Sequence, residues 1–343
     1  MKVRNQPAGQ PALMTVVLAV ACLGVTAAGE VTKADQEKLR AAITKGLGFV
    51  ATKGDLWMEE KNCNGCHHLP EMLWSHREAK RRGFVIDSAK VDEWRAWAEP
   101  KVKNIAAGLE GVAFMTMAMP EKPLAAAEST KLILAGQQAD GSWKPAGQLG
   151  TMQKRPTPEA QANSTRIFLL ALDRLDPAAC EKARAKAATW VGNKDAPASV
   201  EGFIYRAHYA RRFGKPDEAT ALRAEILKRQ HADGGWGWNV TEKQSDSLAT
   251  GQILHLLGLY EDKDPAATAA TDRAHQWLIT TQREDGGWPI DSTLVSKIDR
   301  SDPKKANSLK SVNEIYAFWG TAWATIGLLQ GVPVVEAKVG AVP

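Results

Sequence analysis

The sequence predicts an all-α protein built from paired helices, and three observations lead to this prediction. Apolar residues recur at three- and four-residue spacing through most of the chain. No stretch of comparable length alternates apolar and polar residues as a half-buried strand would. A short motif typical of helix ends occurs three times between residues 137 and 288.

The helical periodicity covers eleven segments, which are separated by breaks rich in Pro and Gly. We expect helices at residues 40–50, 71–82, 91–107, 128–138, 162–175, 181–191, 202–213, 218–230, 245–260, 267–282 and 312–329.

The repeated motif places a glutamine three residues before Asp-Gly-x-Trp, at 137–143, 230–236 and 282–288. The wider gap between the first two copies leaves room for a degenerate unit around 182–191. Glycine can adopt the left-handed conformation that ends a helix, aspartate can bond the freed backbone, and tryptophan can cover the turn. We therefore expect each copy to end a helix, and each glutamine to bridge to the next repeat.

A second pattern, Cys-Asn-Gly-Cys-His-His at residues 63–68, carries the functional prediction. Two thiols separated by two residues can add to the two vinyl groups of one haem, and the histidine after the second thiol is placed to ligate the iron. The sequence thus predicts haem c attached through Cys63 and Cys66, with His67 as an axial ligand.

Two other interpretations use some of the same residues. Cys63, Cys66, His68 and His76 supply the thiolate and imidazole ligands of a tetrahedral zinc site. A Cys-x-x-Cys pair can also be a thiol redox motif, but such motifs sit at strand-to-helix junctions of α/β patterns. No such pattern surrounds this one.

The N-terminus resembles a secretory signal over residues 1–28. Lys2 and Arg4 precede an apolar run at 12–25, and small residues follow at 26–28. We expect an exported, periplasmic mature chain; lipid attachment at Cys22 is the alternative. No later stretch is apolar enough to span a membrane.

Composition is compatible with one large core. The chain has 343 residues, of which 44% are hydrophobic, and a formal charge of +5 that falls to +3 without Lys2 and Arg4. This weak positive charge, without a basic motif, argues against nucleic acid as a partner. With Cys22 removed and two cysteines on haem, Cys180 has no disulfide partner, and we expect it to be a small buried residue.

The repeated motif resembles the glutamine-tryptophan repeats of the squalene-hopene cyclase and prenyltransferase superfamily, over roughly residues 39–329. The resemblance implies an α/α toroid of inner and outer helices. The haem motif followed by Leu69 and Pro70, then Asp-Gly-Ser-Trp at 140–143, Gly-Gln-Leu at 147–149 and a helix with Thr165, is similar to exported cytochrome-bearing relatives of that superfamily.

The haem motif follows what resembles the first repeat unit, which starts at 45–50 and turns at Gly-Asp-Leu-Trp, 54–57. We therefore expect the haem site to be inserted in the first helix pair. The expected organisation is a haem-bearing helical region at 29–128, a repeat region at 129–330 that continues it, and a tail at 331–343.

Cyclase chemistry needs a strongly acidic carboxylic acid, which the resemblance would supply from an aspartate-rich motif. At the matching place only Asp246 remains, so a donor activated by neighbouring carboxyls is lacking. Asp246 is a weak catalytic candidate, and we expect it to be a helix N-cap. The zinc site of the prenyltransferases is also not evident, because Cys180, His231 and His255 are scattered.

The sixth iron ligand has several candidates. A methionine before proline, some fifty residues after the haem motif, resembles the distal loop of small cytochromes c, which favours Met115, Met117 or Met119. Methionines at alternate positions also fill cores. His76 is the rival candidate, and an open position would favour small-molecule or redox catalysis.

Two further groups flank the haem motif. Trp57 and Trp74 are expected to pack on the porphyrin, or to serve as core. We define the basic group as Arg77, Lys80, Arg81 and Arg82. It is suited to binding the haem propionates, to docking an acidic partner, or to forming a solvated helix face.

The sequence therefore predicts an exported c-type cytochrome that exchanges electrons with a redox protein or a small electron carrier. The alternative is a haem-assisted enzyme or a binder of an apolar, isoprenoid-like ligand in the toroid cavity, and cyclase activity is less favoured than either.

Overall fold

The computed structural model describes residues 33–62, 68–103, 108–145, 157–192, 197–262, 264–288, 290 and 303–335, which belong to one compact unit. These residues form thirteen helices and no strand. The helices are α1 (Lys33–Lys61), α2 (Leu69–Arg81), α3 (Ser88–Lys103), α4 (Gly108–Ala118), α5 (Ala126–Ala135), α6 (Thr157–Leu175), α7 (Pro177–Lys186), α8 (Ala188–Val191), α9 (Val200–Arg212), α10 (Pro216–Lys228), α11 (Ser247–Leu257), α12 (Pro265–Thr281) and α13 (Pro303–Leu329).

The all-α prediction is confirmed, and every predicted helix overlaps an observed one. Sequence analysis missed α4, in which all residues from Glu110 to Ala118 are buried. A helix that is buried on all sides lacks the polar face that creates amphipathic periodicity, so the periodicity test did not detect it.

The turn predicted at 54–57 is wrong, because α1 continues without interruption to Lys61. Gly54 serves a different purpose from ending a helix. A Cβ atom at this position would lie 2.2 Å from the sulfur of Met72, so the glycine allows α1 and α2 to pack closely.

Six helices contact one another in chain order: α2, α4, α6, α9, α11 and α13. The last of them, α13, packs against the first, α2, so the contacts form a closed circuit. Each remaining helix packs on members of this circuit, as α1 does on α2 and α13, and α12 does on α11 and α13. Both sets of helices contribute residues to one hydrophobic core.

The three repeated motifs form the same turn, as predicted. Gly141, Gly234 and Gly286 have φ values of 83°, 98° and 86°, which L side chains rarely adopt. In each copy the aspartate Oδ1 accepts a hydrogen bond of 3.0 Å from the backbone N–H two residues later. Each aspartate therefore pairs a backbone N–H within its own turn and stabilises the shape of that turn.

The tryptophan of each motif is buried and holds the turn between two helices. Its indole N–H donates to a carbonyl of the preceding helix, at 2.7 Å for Trp143, 2.8 Å for Trp236 and 3.0 Å for Trp288. Its backbone N–H donates to a threonine hydroxyl of the following circuit helix, Thr165, Thr250 or Thr321.

The glutamine of each motif bridges to another helix, which confirms the prediction. Its Nε2 donates to the carbonyl oxygen of an alanine at 2.7–3.0 Å: Gln137 to Ala183, Gln230 to Ala270 and Gln282 to Ala42. Because Ala183 lies in α7, this helix takes the place that α12 and α1 take in the other two contacts. The degenerate unit predicted near residues 182–191 is thus present.

Candidate functional site

The predicted haem ligands Cys63, Cys66 and His67 lie outside the described residues, in the connection between α1 and α2. The residues on both sides are described. Asn62 adopts a left-handed conformation, with φ at 48°, directly after α1, and asparagine tolerates this conformation better than most residues. On the other side Pro70 lies in the first turn of α2, where a missing N–H costs little.

His68 follows the predicted iron ligand and is only 4% exposed. Its ring stacks between two others, with centroid distances of 4.1 Å to Trp57 and 4.0 Å to Phe318. Aromatic pairs of this kind contribute about 0.5–1.5 kcal/mol beyond their buried area. The stack joins α1, α2 and α13, and fixes the backbone next to His67. Nothing in the sequence indicates the contact with Phe318, which is distant in the chain.

The two tryptophans predicted to pack on haem occupy different environments. Trp57 is half-buried and lies beside the haem motif, through its contact with His68. Trp74 is buried, about 8 Å further along α2 than Leu69. Its ring centroid lies 5.1 Å from that of His255 and 5.3 Å from that of Trp323.

Glu71, in the first turn of α2, is a buried carboxyl that sequence analysis missed. Neither carboxyl oxygen has a hydrogen-bond partner of good geometry among the described residues, and Trp319 supplies only a weak polar contact. Burial raises the pKa of Glu71 to about 8, against smaller opposing effects of its backbone and of Trp319. The side chain is therefore protonated at neutral pH. An acidic residue in a first helical turn normally indicates an exposed position near the helix dipole, so its burial was not predictable.

Asp246 is the N-cap of α11, as predicted. Its Oδ1 accepts a hydrogen bond of 2.7 Å from the backbone N–H of Ala249. Burial raises the pKa of Asp246 to about 7, with a further contribution from Glu242. The carboxyl is thus a weaker acid than an ordinary aspartate.

The three candidate methionines lie at the end of α4. Met115 and Met117 are buried within the helix, and Met119 follows it and is half-buried. The carbonyl oxygen of Met117 accepts a 3.2 Å hydrogen bond from Arg77 Nη1. Arg77 lies about 12 Å along α2 from Leu69. The methionines are thus level with the C-terminal half of α2, and their relation to the haem motif stays a prediction.

His76 is buried on α2, with its ring edge against Trp94 at a centroid distance of 4.9 Å. Its Nδ1 lies 2.8 Å from the carbonyl oxygen of Met72, which leaves Nε2 as the nitrogen available to a metal. Burial lowers the pKa of His76. The ring borders a groove of about 540 Å³ between α1, α2 and α3. The zinc alternative needs His68 and His76 at one ion, and the structure places them in separate environments.

Two members of the basic group are buried or half-buried and paired, so the solvated-face interpretation fails for them. Arg77 and Arg82 both pair with Glu78, at 2.6 Å for Arg77. Burial opposes ionisation of Glu78, but these arginines override it and hold its pKa at about 2. Arg81 is half-exposed and contacts the same carboxylate, and Lys80 donates to Ser88.

A cavity of about 350 Å³ lies where the six circuit helices end. We call it the arginine cavity. Its wall includes Arg77, Arg81, Arg82, Arg174, Arg212, His208 and His255.

Comparisons of the sequence with known proteins identify no family for the chain. No family model matches the chain, and no curated protein matches it at a significant level. In the described part of the chain, no cluster of three or more His, Cys, Asp and Glu side chains has the arrangement of a metal site. None of the described helices has the length and apolarity needed to cross a membrane.

Proposed function

We propose that this protein is an exported c-type cytochrome, which carries covalent haem on a terpene-cyclase-like α/α toroid and transfers electrons. The observation that carries the proposal is the Cys-x-x-Cys-His sequence at 63–67, because two thiols and the following imidazole are the donor set of haem c. Cys63 and Cys66 would hold the haem covalently and His67 would ligate its iron. The bound group would supply one-electron redox chemistry.

The neighbouring residues fit such a site. An axial histidine needs a fixed orientation, which its surroundings must supply. The stack of His68 between Trp57 and Phe318 holds the chain directly after His67. The left-handed Asn62 ends α1 just before Cys63, so the attachment segment is short and held at both ends.

The closed circuit of helix contacts supports the toroid. Six helices contact in chain order and return from α13 to α2, and Gln282 bridges from the last motif to α1. Inner and outer helices of an α/α toroid would give these contacts. The proposed haem segment would then join an outer helix, α1, to an inner one, α2.

The proposed signal peptide at 1–28 and the alternative lipid site Cys22 lie outside the described residues. Cys180, the cysteine among the described residues, is free and buried, as expected for an exported protein without disulfides. It donates from Sγ to the carbonyl oxygen of Leu169 at 3.2 Å. Burial raises the pKa of its thiol to about 12, so it is unreactive at neutral pH. A redox protein or a small electron carrier would be the partner in the periplasm.

A haem-assisted enzyme, or a binder of an apolar, isoprenoid-like ligand, is the second candidate, and Glu71 favours the enzyme. This carboxyl follows His67 by four residues in the sequence, and its pKa of about 8 keeps a transferable proton near neutral pH. Electron transfer alone needs no such group.

The test is covalent attachment. Haem should stay on the denatured chain after extraction with acidified acetone, because thioether bonds do not depend on folding. Replacing both Cys63 and Cys66 by Ala should abolish the attached haem, and Cys180→Ala should keep it. A purified native protein that contains zinc and no haem would contradict the proposal.

A further inference from the structure

We propose that the arginine cavity binds a small organic carboxylate, at a site separate from the haem motif. The cavity lies along the C-terminal half of α2, from Trp74 to Arg82, whereas the haem motif precedes the first residue of this helix. Along α2, Trp74 is the cavity residue nearest to the haem motif, about 8 Å from Leu69. The proposal therefore does not depend on the haem.

Three residues that line the cavity each have a buried side-chain nitrogen without a hydrogen-bond partner in the described structure. These nitrogens are Nε1 of Trp74, Nε of Arg82 and Nδ1 of His255, and their residues are 5%, 7% and 8% exposed. Buried donors are normally paired, because leaving one unpaired costs its desolvation. Three residues around one cavity thus carry a nitrogen whose hydrogen-bonding capacity is unused in the described structure.

The formal charge of the wall also favours an anion. The wall contains five arginines and three acidic residues, Glu78, Glu121 and Asp173, so its formal charge is +2. His208 and His255 add no charge at neutral pH, since burial lowers their pKa values to about 3 and about 4. A neutral His255 that carries its proton on Nδ1 donates one hydrogen bond to an acceptor.

The C-terminal helix ends around the cavity disfavour binding of an anion, because their carbonyl groups carry partial negative charge. Arginines offset this effect where they donate to those carbonyls. Arg77 donates to Met117 and Ala118 at the end of α4, and Arg211 donates to Leu259 after α11. A carbonyl group at the end of α4 and one just after α11 are thus occupied.

Ion pairs hold several of the arginines in place before any ligand arrives. Arg212 binds Asp173 through two nitrogens, at 2.5 and 2.7 Å. Arg82 binds Glu78 and donates to Gln330 at 2.9 Å. Arg174 is exposed and pairs with no carboxylate of the described residues, so it is available to a ligand. A preorganised site of this kind loses little entropy on binding.

The apolar part of the wall decides between an inorganic and an organic anion. Met117, Pro120, Leu170 and Leu259 also line the cavity, and its volume lies at the lower end of the range for small-molecule sites. A carboxylate on a short carbon chain would satisfy the nitrogens and cover these side chains. Inorganic phosphate would leave them uncovered.

The test is calorimetric titration of the purified full-length mature protein with succinate, its uncharged analogue succinamide, and inorganic phosphate. We expect saturable binding of succinate at one site and no binding of succinamide. Arg174→Gln should weaken succinate binding about tenfold by removing a charged donor. Trp74→Phe should weaken it by a similar factor, since it removes the indole N–H and keeps a smaller aromatic ring.

Arg283→Gln is the matched control, because Arg283 is exposed on a repeat turn and lies outside the cavity wall; it should leave the affinity unchanged. Thermal unfolding of the ligand-free variants checks that each is folded. The proposal is overturned if succinate does not bind up to about 10 mM, if succinamide binds equally well, or if Arg174→Gln and Trp74→Phe leave the affinity unchanged. Phosphate binding alone, equal in all variants, would indicate only an adventitious ion and would also overturn it.

Discussion

Gln282 donates a hydrogen bond of 3.0 Å from Nε2 to the carbonyl oxygen of Ala42, across a separation of 240 residues. The same nitrogen donates to Gly286 of its own turn, also at 3.0 Å. The earlier motifs make the corresponding contacts to helices that follow them, whereas Gln282 reaches back to α1. One glutamine side chain thus connects the last motif to the first helix.

Replacing Gln282 by Ala should destabilise the protein by about 1–3 kcal/mol, because two carbonyl oxygens lose their donor. Urea unfolding would measure the change in free energy. Gln276→Ala is the matched control, since Gln276 is an exposed residue of α12 with no such contact. Equal effects of the two substitutions would show that the bridge contributes nothing.

Glu71 should make stability depend on pH. Its folded-state pKa of about 8 lies above the ordinary value of 4.5. Between these two values the unfolded chain ionises Glu71 while the folded chain keeps it protonated. The free energy of unfolding should therefore fall as pH rises from about 5 to 8, by at most about 4 kcal/mol from this group.

Glu71→Gln should remove this contribution, because an amide of the same shape does not titrate. The difference in unfolding free energy between the variant and the native protein should grow in favour of the variant from pH 5 to pH 8. Glu37→Gln, at an exposed position of α1, should show no such trend. A constant difference across this range would mean that Glu71 is ionised in the folded protein.

The repeated motif was predictable because its function is local. The glycine, aspartate and tryptophan of each copy act within one turn, and their roles follow from residue type alone. The bridging glutamine was predictable because it repeats with that turn. The same approach failed for α4, which has no polar face, and for Gly54, where close approach of Met72 and not a turn requires glycine.

The surroundings of the candidate haem site were predictable only in part. The thiols and the axial histidine are adjacent in sequence, so their spacing is visible. The contact between His68 and Phe318 depends on how α13 returns to α2, which no local pattern encodes. The burial of Glu71 arises in the same way, because α1, α3, α4 and α13 all pack around α2.

We expect Asp246 to cap the N-terminus of α11 and not to act as the acid of a cyclisation reaction. A cyclase acid must be strong, whereas burial raises the pKa of Asp246 to about 7. We expect no cyclic product from squalene with the purified native protein, as measured by gas chromatography. Asp246→Ala should cost about 1 kcal/mol of stability through loss of the N-cap, and Asp246→Asn should restore most of it. Conversion of squalene by the native protein, lost in Asp246→Asn, would overturn this interpretation.

The second axial position of the proposed haem is best tested by paired substitutions. We expect a methionine ligand, and Met119 is the favoured candidate, because it is half-buried beyond the end of α4 while Met115 and Met117 are packed in the core. A neutral thioether raises the reduction potential relative to a second imidazole. Met119→Ala should therefore convert a six-coordinate absorbance spectrum to a five-coordinate or water-bound one and lower the potential.

His76→Ala is the informative comparison, since His76 offers Nε2 while its Nδ1 is held by the carbonyl of Met72. It should leave coordination and potential largely unchanged. Loss of the sixth ligand in the His76 variant alone would instead establish bis-histidine ligation. Unchanged coordination in His76→Ala and in Ala variants of all three methionines, together with carbon monoxide binding by the native protein, would show an open iron. An open iron binds small molecules, and the haem-assisted enzyme would then replace the electron carrier as the favoured function.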